Sequence, residues 1–574
     1  INLSGIHGKD LRYRFQWTAP VEISPHDPSV LYHGGNLLFR SADRGASWAP
    51  ISPDLTRNEK ATQGWSGGPI TGDITGVETY GTIFSIRESP REAGHIWVGT
   101  DDGLVQLTRD GGATWTDVTP RGMPDRGTVE HIEVSTHQDG TAWVVVEARR
   151  LDDQRPWLFH TTNYGASWQQ VTGGLPQDQP LFVLREDPED PALLYLGGER
   201  GLWVSRNGGS GWDRVKQGLP PVAVADIEIR HGALVLGTRR GIWALDNLQV
   251  LRGAGDALSG QALHLFPALP AVRWQMDRGW GDQGAMPAPP DGLRFAYFLE
   301  DAVKDDIRLE IVDADGTVIR TLSSVLEPLK YPVDDPDSPD AWAYLKEGPK
   351  PALSRDAGIN TAVWDLRMTG ARRIGSKVDA GNPEEGPLVA PGKYTLRLVV
   401  RGETREQEFE VVPDPRSPAT PEDLKANVAF AVSAREAMDR VLRNVELLQA
   451  VRSQAKDVMA RSADAAAVVS AATALEARAR ALEYALHNPD AEVFYDVLAG
   501  RDGGAKLYGQ FALLPDLAQD ADYVPTQGMR ERMEELLGRL SEIEAGVGAM
   551  RGKELAAFEQ AVSAAGLPRV ILPD

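Results

Sequence analysis

Ser41-Ala-Asp-Arg-Gly-Ala-Ser-Trp48 returns, lightly varied, as Thr108-Arg-Asp-Gly-Gly-Ala-Thr-Trp115, Thr161-Thr-Asn-Tyr-Gly-Ala-Ser-Trp168 and Ser205-Arg-Asn-Gly-Gly-Ser-Gly-Trp212. The shared frame is a hydroxyl residue (Ser41, Thr108, Thr161, Ser205), Asp or Asn two places on (Asp43, Asp110, Asn163, Asn207), a glycine (Gly45, Gly112, Gly165, Gly209) and a closing tryptophan (Trp48, Trp115, Trp168, Trp212). In a tight β-hairpin each type has a task. The hydroxyl and the Asp or Asn oxygen accept backbone N–H bonds, the glycine supplies a positive φ, and the indole plugs the hairpin onto its neighbour. Asn at 163 and 207 keeps the acceptor and removes the ionising acid, so the phrase reads as structural.

A larger unit recurs around the phrase. An Ile/Val-rich strand opens it (Val21–Ile23, Ile83–Ile86, Val129–Val134, Phe182–Leu184, Asp226–Ile229), and a second strand follows at 31–32, 96–98, 142–146, 194–196 and 234–236. After a turn comes a third strand, and in four of the units the phrase then leads into a short fourth. Four short antiparallel strands in a repeat of about 45 to 65 residues are the pattern of a β-propeller blade. Residues 1–255 therefore read as propeller, four blades and most of a fifth. Either residues 1–16, with Leu11–Phe15, add the missing strand and close a five-bladed ring, or the blades belong to a larger propeller. The second reading is preferred because the chain opens on Ile1, and it implies a partner: an N-terminal propeller fragment of the same precursor, or another protein.

Beyond the repeats, residues 256–292 read as a Pro/Gly/Trp-rich linker packing on the propeller. Alternating strands over 293–414, with a turn at Asp313–Gly316, read as an immunoglobulin- or fibronectin-like sandwich carrying a long insertion at 325–356. Residues 415–574 turn to Ala, Leu, Glu and Arg, and read as a helical hairpin or bundle with helices starting near 421, 463, 525 and 553. Thr420-Pro-Glu-Asp423 has the cap, proline and acids of a helix start. The fold class is thus multidomain and mainly β, with a helical C-terminal region.

Composition excludes several functions. A net charge of -22 speaks against a nucleic-acid partner, and the lack of cysteine rules out disulfides and thiolate chemistry. No apolar run has the length of a membrane span. His26, His33, His131, His137 and His160 fall without ligand spacing, so no metal or other cofactor is expected.

The phrases resemble the Asp-box, or BNR, repeats of sialidases, sortilin-type receptors and two-propeller xyloglucanases. Ser24–Pro28 with Tyr32–Gly35, Ser52–Asn58, Ile96–Leu104 and Arg185–Pro188 look like the C-terminal part of large bacterial exported proteins labelled BNR-repeat "glycosyl hydrolase" or sortilin-like. The resemblance implies export to the periplasm or the cell exterior.

The turns between second and third strands open near the central channel. That rim receives Asn36, Asp101, Asp102, the loop from Arg149 to Arg155, Glu199, Arg200, Arg239 and Arg240. The preferred reading is a polar face that binds a peptide or protein. The alternative is a glycoside hydrolase, whose acid pair would come from Asp101, Asp102, Asp152, Asp153 and Glu199, with Arg149, Arg155 and Arg239 available to an anionic sugar. A further alternative is a structural subunit paired with an N-terminal propeller fragment. The insertion Leu55–Gly81, with Trp65, Asp73 and Tyr80, is expected to cap the channel or meet a missing propeller half.

Overall fold

A computed structural model of the chain describes residues 6–67, 69–70, 72, 76–215, 218–255, 258, 260–274, 292–325, 351–374, 383–462, 464–489 and 504–567. The chain divides into two compact units, Ile1–Asp256 and Ala257–Asp574.

In the first unit β1 (Val21–Ile23), β2 (Leu31–Gly34), β3 (Leu38–Ser41) and β4 (Ala49–Pro50) form the first sheet. The second is β5 (Ile83–Glu88), β6 (Ile96–Thr100), β7 (Val105–Thr108) and β8 (Thr116–Asp117), and the third is β9 (Thr128–Val134), β10 (Ala142–Ala148), β11 (Asp153–Thr161) and β12 (Gln169–Gln170). The fourth is β13 (Leu181–Glu186), β14 (Leu194–Gly198), β15 (Gly201–Ser205) and β16 (Asp213–Arg214). The fifth has three strands, β17 (Val224–Arg230), β18 (Ala233–Thr238) and β19 (Gly241–Leu245), followed by the short helix α1 (Leu248–Gly253).

These sheets follow one another in a propeller-like series, and the apolar cores lie between successive sheets. Val98, Ile96 and Ile86 face the first sheet's Tyr32 and Leu38, while Trp97 on the same strand as Val98 faces Val129 and Ile132 of the third. Middle strands are therefore buried on both faces, which is why they read as unbroken apolar runs. Glycine allows the closest approach: a Cβ on Gly99 would lie 2.2 Å from Val129 Cγ1.

Residues 11–16 form no strand and do not complete the fifth sheet. Phe15 stacks on His33 and Phe39, and Tyr13 meets Phe39 edge-on, so aromatic burial holds this segment against the first sheet instead. A five-bladed ring closed by Leu11–Phe15 is thereby ruled out.

The second unit has two sheets on one core. β22 (Leu293–Leu299) lies between β20 (Leu263–Leu265) and β25 (Gly358–Trp364). The other sheet runs β21 (Ala271–Arg273), β27 (Glu403–Pro413), β26 (Gly392–Val400), β23 (Ile307–Val312), β24 (Val318–Ser323). Phe295, Tyr297, Leu309, Ile311, Trp364 and Leu396 belong to the apolar core that the two sheets share. Residues 263–265 and 271–273, assigned from sequence to a linker, are strands of these sheets, because Leu263, Leu265 and Ala271 find apolar partners in this core. Most of the 325–356 insertion lies outside the described residues.

Helices α2 (Pro421–Arg461), α3 (Ala466–Leu486), α4 (Leu507–Gln519), α5 (Gln527–Met550) and α6 (Ala556–Ala564) share a second core in this unit. Thr420 and Asp423 close a capping box at the start of α2. Helix α4, with Gly509 and Pro515, is absent from the sequence expectation; Leu507, Tyr508, Phe511, Ala512, Leu514 and Ala518 are buried, and this burial offsets its poor helix formers.

Candidate functional site

The repeated phrase makes the same turn four times. Ser41 Oγ donates to Asp43 Oδ1 at 2.7 Å and accepts from the Gly45 N–H at 2.8 Å, while Asp43 accepts from the Ser47 N–H and hydroxyl. Thr108 and Asp110 repeat these bonds around Gly112 and Thr114. In the last two copies the amide oxygens of Asn163 and Asn207 take the same N–H bonds, from Ser167 and Gly211, and Thr161 and Ser205 hold Gly165 and Gly209. The Ser47 and Thr114 hydroxyls lead the bonds that lower Asp43 and Asp110 to about 2. Both carboxylates are occupied in the hairpin.

The acids named from sequence are mostly engaged as well. Asp101 is buried and accepts from the Gly81 and Thr82 N–H groups and the Thr82 hydroxyl, fixing the entry to β5. Burial pushes it up to about 7 against those bonds, with Asp102 adding to the rise. Asp102 accepts from Thr100 Oγ1 and the Arg57 N–H, and Asn36 joins the Arg14 N–H to Asp54. Arg57 and Gly81 of the Leu55–Gly81 insertion thus meet Asp102 and Asp101 at the end of the second sheet; Asp73 lies outside the described residues. Asp152 is exposed in a left-handed turn, and Asp153 is bound by Arg155 and by the Trp157 indole. Arg200 pairs with Asp178, while Arg240 is exposed.

What does converge is a cluster over the third to fifth sheets. Arg149 bridges Glu147 (2.7 Å) and Glu199 (3.2 Å), Arg239 approaches Glu199 at 3.9 Å, and both guanidiniums lie over the Phe182 ring. Glu130, on β9, belongs to this cluster and was missed from sequence. Burial, with Glu147 beside it, pushes its carboxyl up to about 7 against the pull of Arg149, Arg150 and Arg239. Among the described residues it has no hydrogen bond and no ion pair within 4 Å. Such a group holds or releases a proton near neutrality.

A second feature missed from sequence runs along the opening strands. Glu22, Arg87, Glu133, Arg185 and Glu228 pair across to Tyr32, Trp97, Trp143, Tyr195 and Val235, so they hold one register in successive sheets. Arg87 lies 2.9 Å from Glu22 and 3.6 Å from Glu133, and Arg185 lies 3.3 Å from Glu133 and 3.5 Å from Asp226. His131 sits between the two arginines, and burial first, then their charge, holds it well below its ordinary value. The signal was a charged residue at this one position of every opening strand, partly hidden because four of the five strands carry further charges, such as Glu88, Glu130, Glu186 and Asp226.

In the second unit a cavity of about 470 Å³ is lined by Arg273, Asp365, Arg367, Arg435, Met438 and Asp516, among others. Arg273 is tied to Asp522 and Arg367 to Glu385. Among the described residues no group of three or more His, Asp or Glu side chains is placed to hold a metal ion, and no helix is long and apolar enough to cross a membrane.

No family model matches the chain. It is similar to a xyloglucanase of Paenibacillus sp, 23% identical over 231 residues, covering 38% of this chain and 21% of the relative. It is also similar to an oligoxyloglucan-reducing end-specific xyloglucanase of Emericella nidulans, 26% identical over 129 residues, covering 22% of this chain and 16% of the relative. The chain therefore spans about a fifth or less of the relatives it matches. Among solved structures, the GH74 xyloglucanase from Xanthomonas campestris aligns with a TM-score of 0.32 at 16% identity, covering 67% of this chain and 63% of that one. The GH74 enzyme of Niastella koreensis aligns at 0.30 with 13% identity, covering 67% and 56%. Both sequence relatives are named for hydrolysis of a glycan, which overturns the reading of the rim as a module for a peptide or protein ligand.

Proposed function

We propose that the chain is part of a carbohydrate-active hydrolase that cleaves glycosidic bonds in a xyloglucan-type polymer. In this reading the five sheets are blades of an Asp-box β-propeller and the two-sheet body of the second unit is an immunoglobulin-like sandwich. A polymer of that size is met outside the cell, in keeping with an exported protein.

The observation that carries the reading is Glu130, a half-buried carboxyl raised to about 7 beside Glu147 and within the field of Arg149, Arg150 and Arg239, two of which also hold Glu199. Glycoside hydrolysis needs one carboxyl that is still protonated at working pH to donate to the leaving oxygen, and a second that is ionised. Glu130 takes the first role. Glu199, held between Arg149 and Arg239, takes the second. The Phe182 ring under the two guanidiniums fixes their positions, so the acid and the cations form one preorganised face.

The test is release of reducing ends from xyloglucan and from unsubstituted β-glucans. Glu130→Gln is expected to lower turnover on the order of 10²-fold or more, as loss of a general acid does. An inactive wild-type chain on all these polymers would remove the reading.

A further inference from the structure

Four opening strands break register at the same place. Against consecutive residues of the second strand, β5 steps from Ile83 to Ser85, β9 from Val129 to His131, β13 from Leu181 to Val183 and β17 from Val224 to Asp226. Each step is a β-bulge, which leaves one residue unpaired and re-aims its side chain. The bulged residues are Phe84, Glu130, Phe182 and Ala225.

The bulges stand at equivalent positions. Arg87, Glu133, Arg185 and Glu228, members of the alternating charged run, each come three places after the bulge, about 10 Å further along the strand. That run passes from sheet to sheet, with Glu133 3.6 Å from Arg87 and 3.3 Å from Arg185. The same register sets Phe84 and Phe182 on either side of Glu130. Arg149 and Arg239, which lie over the Phe182 ring at 4.8 and 5.8 Å, also act on the Glu130 carboxyl, as adjacent positions require.

The bulged side chains differ in what covers them. Phe182 is 4% exposed beneath the two guanidiniums. Ala225 is exposed and leaves its position nearly empty. Phe84 is half-buried, and among the described residues no aromatic ring and no cation lies on it. A phenyl ring thus stays open on the second-sheet side of the acid, opposite the ring that the arginines cover. An open ring in that place suits a pyranoside, whose C–H groups pack on an aromatic face while its glycosidic oxygen is held beside the proton donor.

We infer that Phe84 is a saccharide subsite, a platform on which a neutral pyranose ring of the substrate stacks beside Glu130. The choice of a saccharide rests on the hydrolase reading; the position of the platform does not.

The test compares the wild-type chain with Phe84→Leu, which keeps an apolar side chain without a ring face, and Phe84→Trp, which keeps the face. Titration calorimetry with a xyloglucan heptasaccharide reads affinity, and release of reducing ends from xyloglucan reads activity. Phe84→Leu is expected to weaken binding about tenfold, and Phe84→Trp to hold the wild-type affinity. Amide hydrogen exchange of the wild-type chain, which needs no variant, is expected to slow over 82–87 when the saccharide is added. An active wild type whose affinity Phe84→Leu leaves unchanged would overturn the subsite and leave the hydrolase reading standing. Binding that depends on Phe84 in a chain that releases no reducing ends would remove the hydrolase reading and keep the subsite. No binding of the heptasaccharide, or exchange over 82–87 that the saccharide does not slow, would overturn the subsite outright.

Discussion

Arg87 of the second sheet reaches back 2.9 Å to Glu22 of the first, and this pair begins a run of alternating charge that Glu133, Arg185 and Glu228 continue through the later sheets. Each arginine has an acid on both sides, so the inner strands are tied to one another across the sheet boundaries by ion pairs as well as by apolar cores. Glu133 is the member that serves two arginines.

Glu133→Gln is therefore expected to cost about 3 kcal/mol, since it leaves Arg87 and Arg185 short of a buried counter-charge. Glu228→Gln, at the exposed end of the run, is expected to cost less than about 0.5 kcal/mol. Urea denaturation of the two variants, followed on the first unit's tryptophans, checks the contrast.

His131 gives the same region a pH dependence. Its folded pKa lies below the unfolded 6.5, so above pH 6.5 both states hold it neutral. Below that, the unfolded chain takes up a proton that the folded chain refuses, and stability falls as pH drops toward the folded pKa. His131→Gln is expected to flatten the stability profile between about pH 6.5 and 5, measured by thermal unfolding.

The indoles of the repeated phrase make a second contrast. Trp115, Trp168 and Trp212 donate to the carbonyls of Ile51, Val118 and Val171 on the preceding sheet, whereas Trp48 donates to Gly45 in its own turn. Trp212→Phe is expected to lose about 1 kcal/mol through the unpaired carbonyl. Trp48→Phe is expected to change little. Denaturant midpoints decide.

In the second unit, buried Arg273 holds the Val389 carbonyl and pairs with Asp522. Asp522→Ala is expected to destabilise by about 3 kcal/mol because the guanidinium stays buried without its acid. Arg273→Met with Asp522→Ala together is expected to recover part of that loss, a double-mutant comparison by calorimetry.

The sheets were legible because Ser-x-Asp-x-Gly-x-x-Trp fixes where a third strand turns, and turn chemistry is local. Helices α2 and α5 were legible from Thr420-Pro-Glu-Asp423 and from the turn of composition to Ala, Leu, Glu and Arg. Helix α4 was not, since Gly509 and Pro515 contradict it locally and only tertiary burial overrides them. The candidate site was half legible. Repeat alignment places Arg149, Glu199 and Arg239 together, and they do meet. Asp101 and Asp102 resemble channel-rim acids because they stand at a turn tip, yet backbone donors from neighbouring segments claim them. Glu130 is hidden in the sequence because it sits within an apolar strand, and a raised pKa depends on what the fold packs around it.

The most direct measurement is the pH profile of xyloglucan hydrolysis by the wild-type chain and by Glu130→Gln. Glu130 is raised above its ordinary value, so its protonated form is present below pH 7 and is lost as pH rises through about 7. The account predicts wild-type activity with a descending limb near pH 7, and loss of both activity and that limb in Glu130→Gln. An unchanged profile in the variant would contradict it.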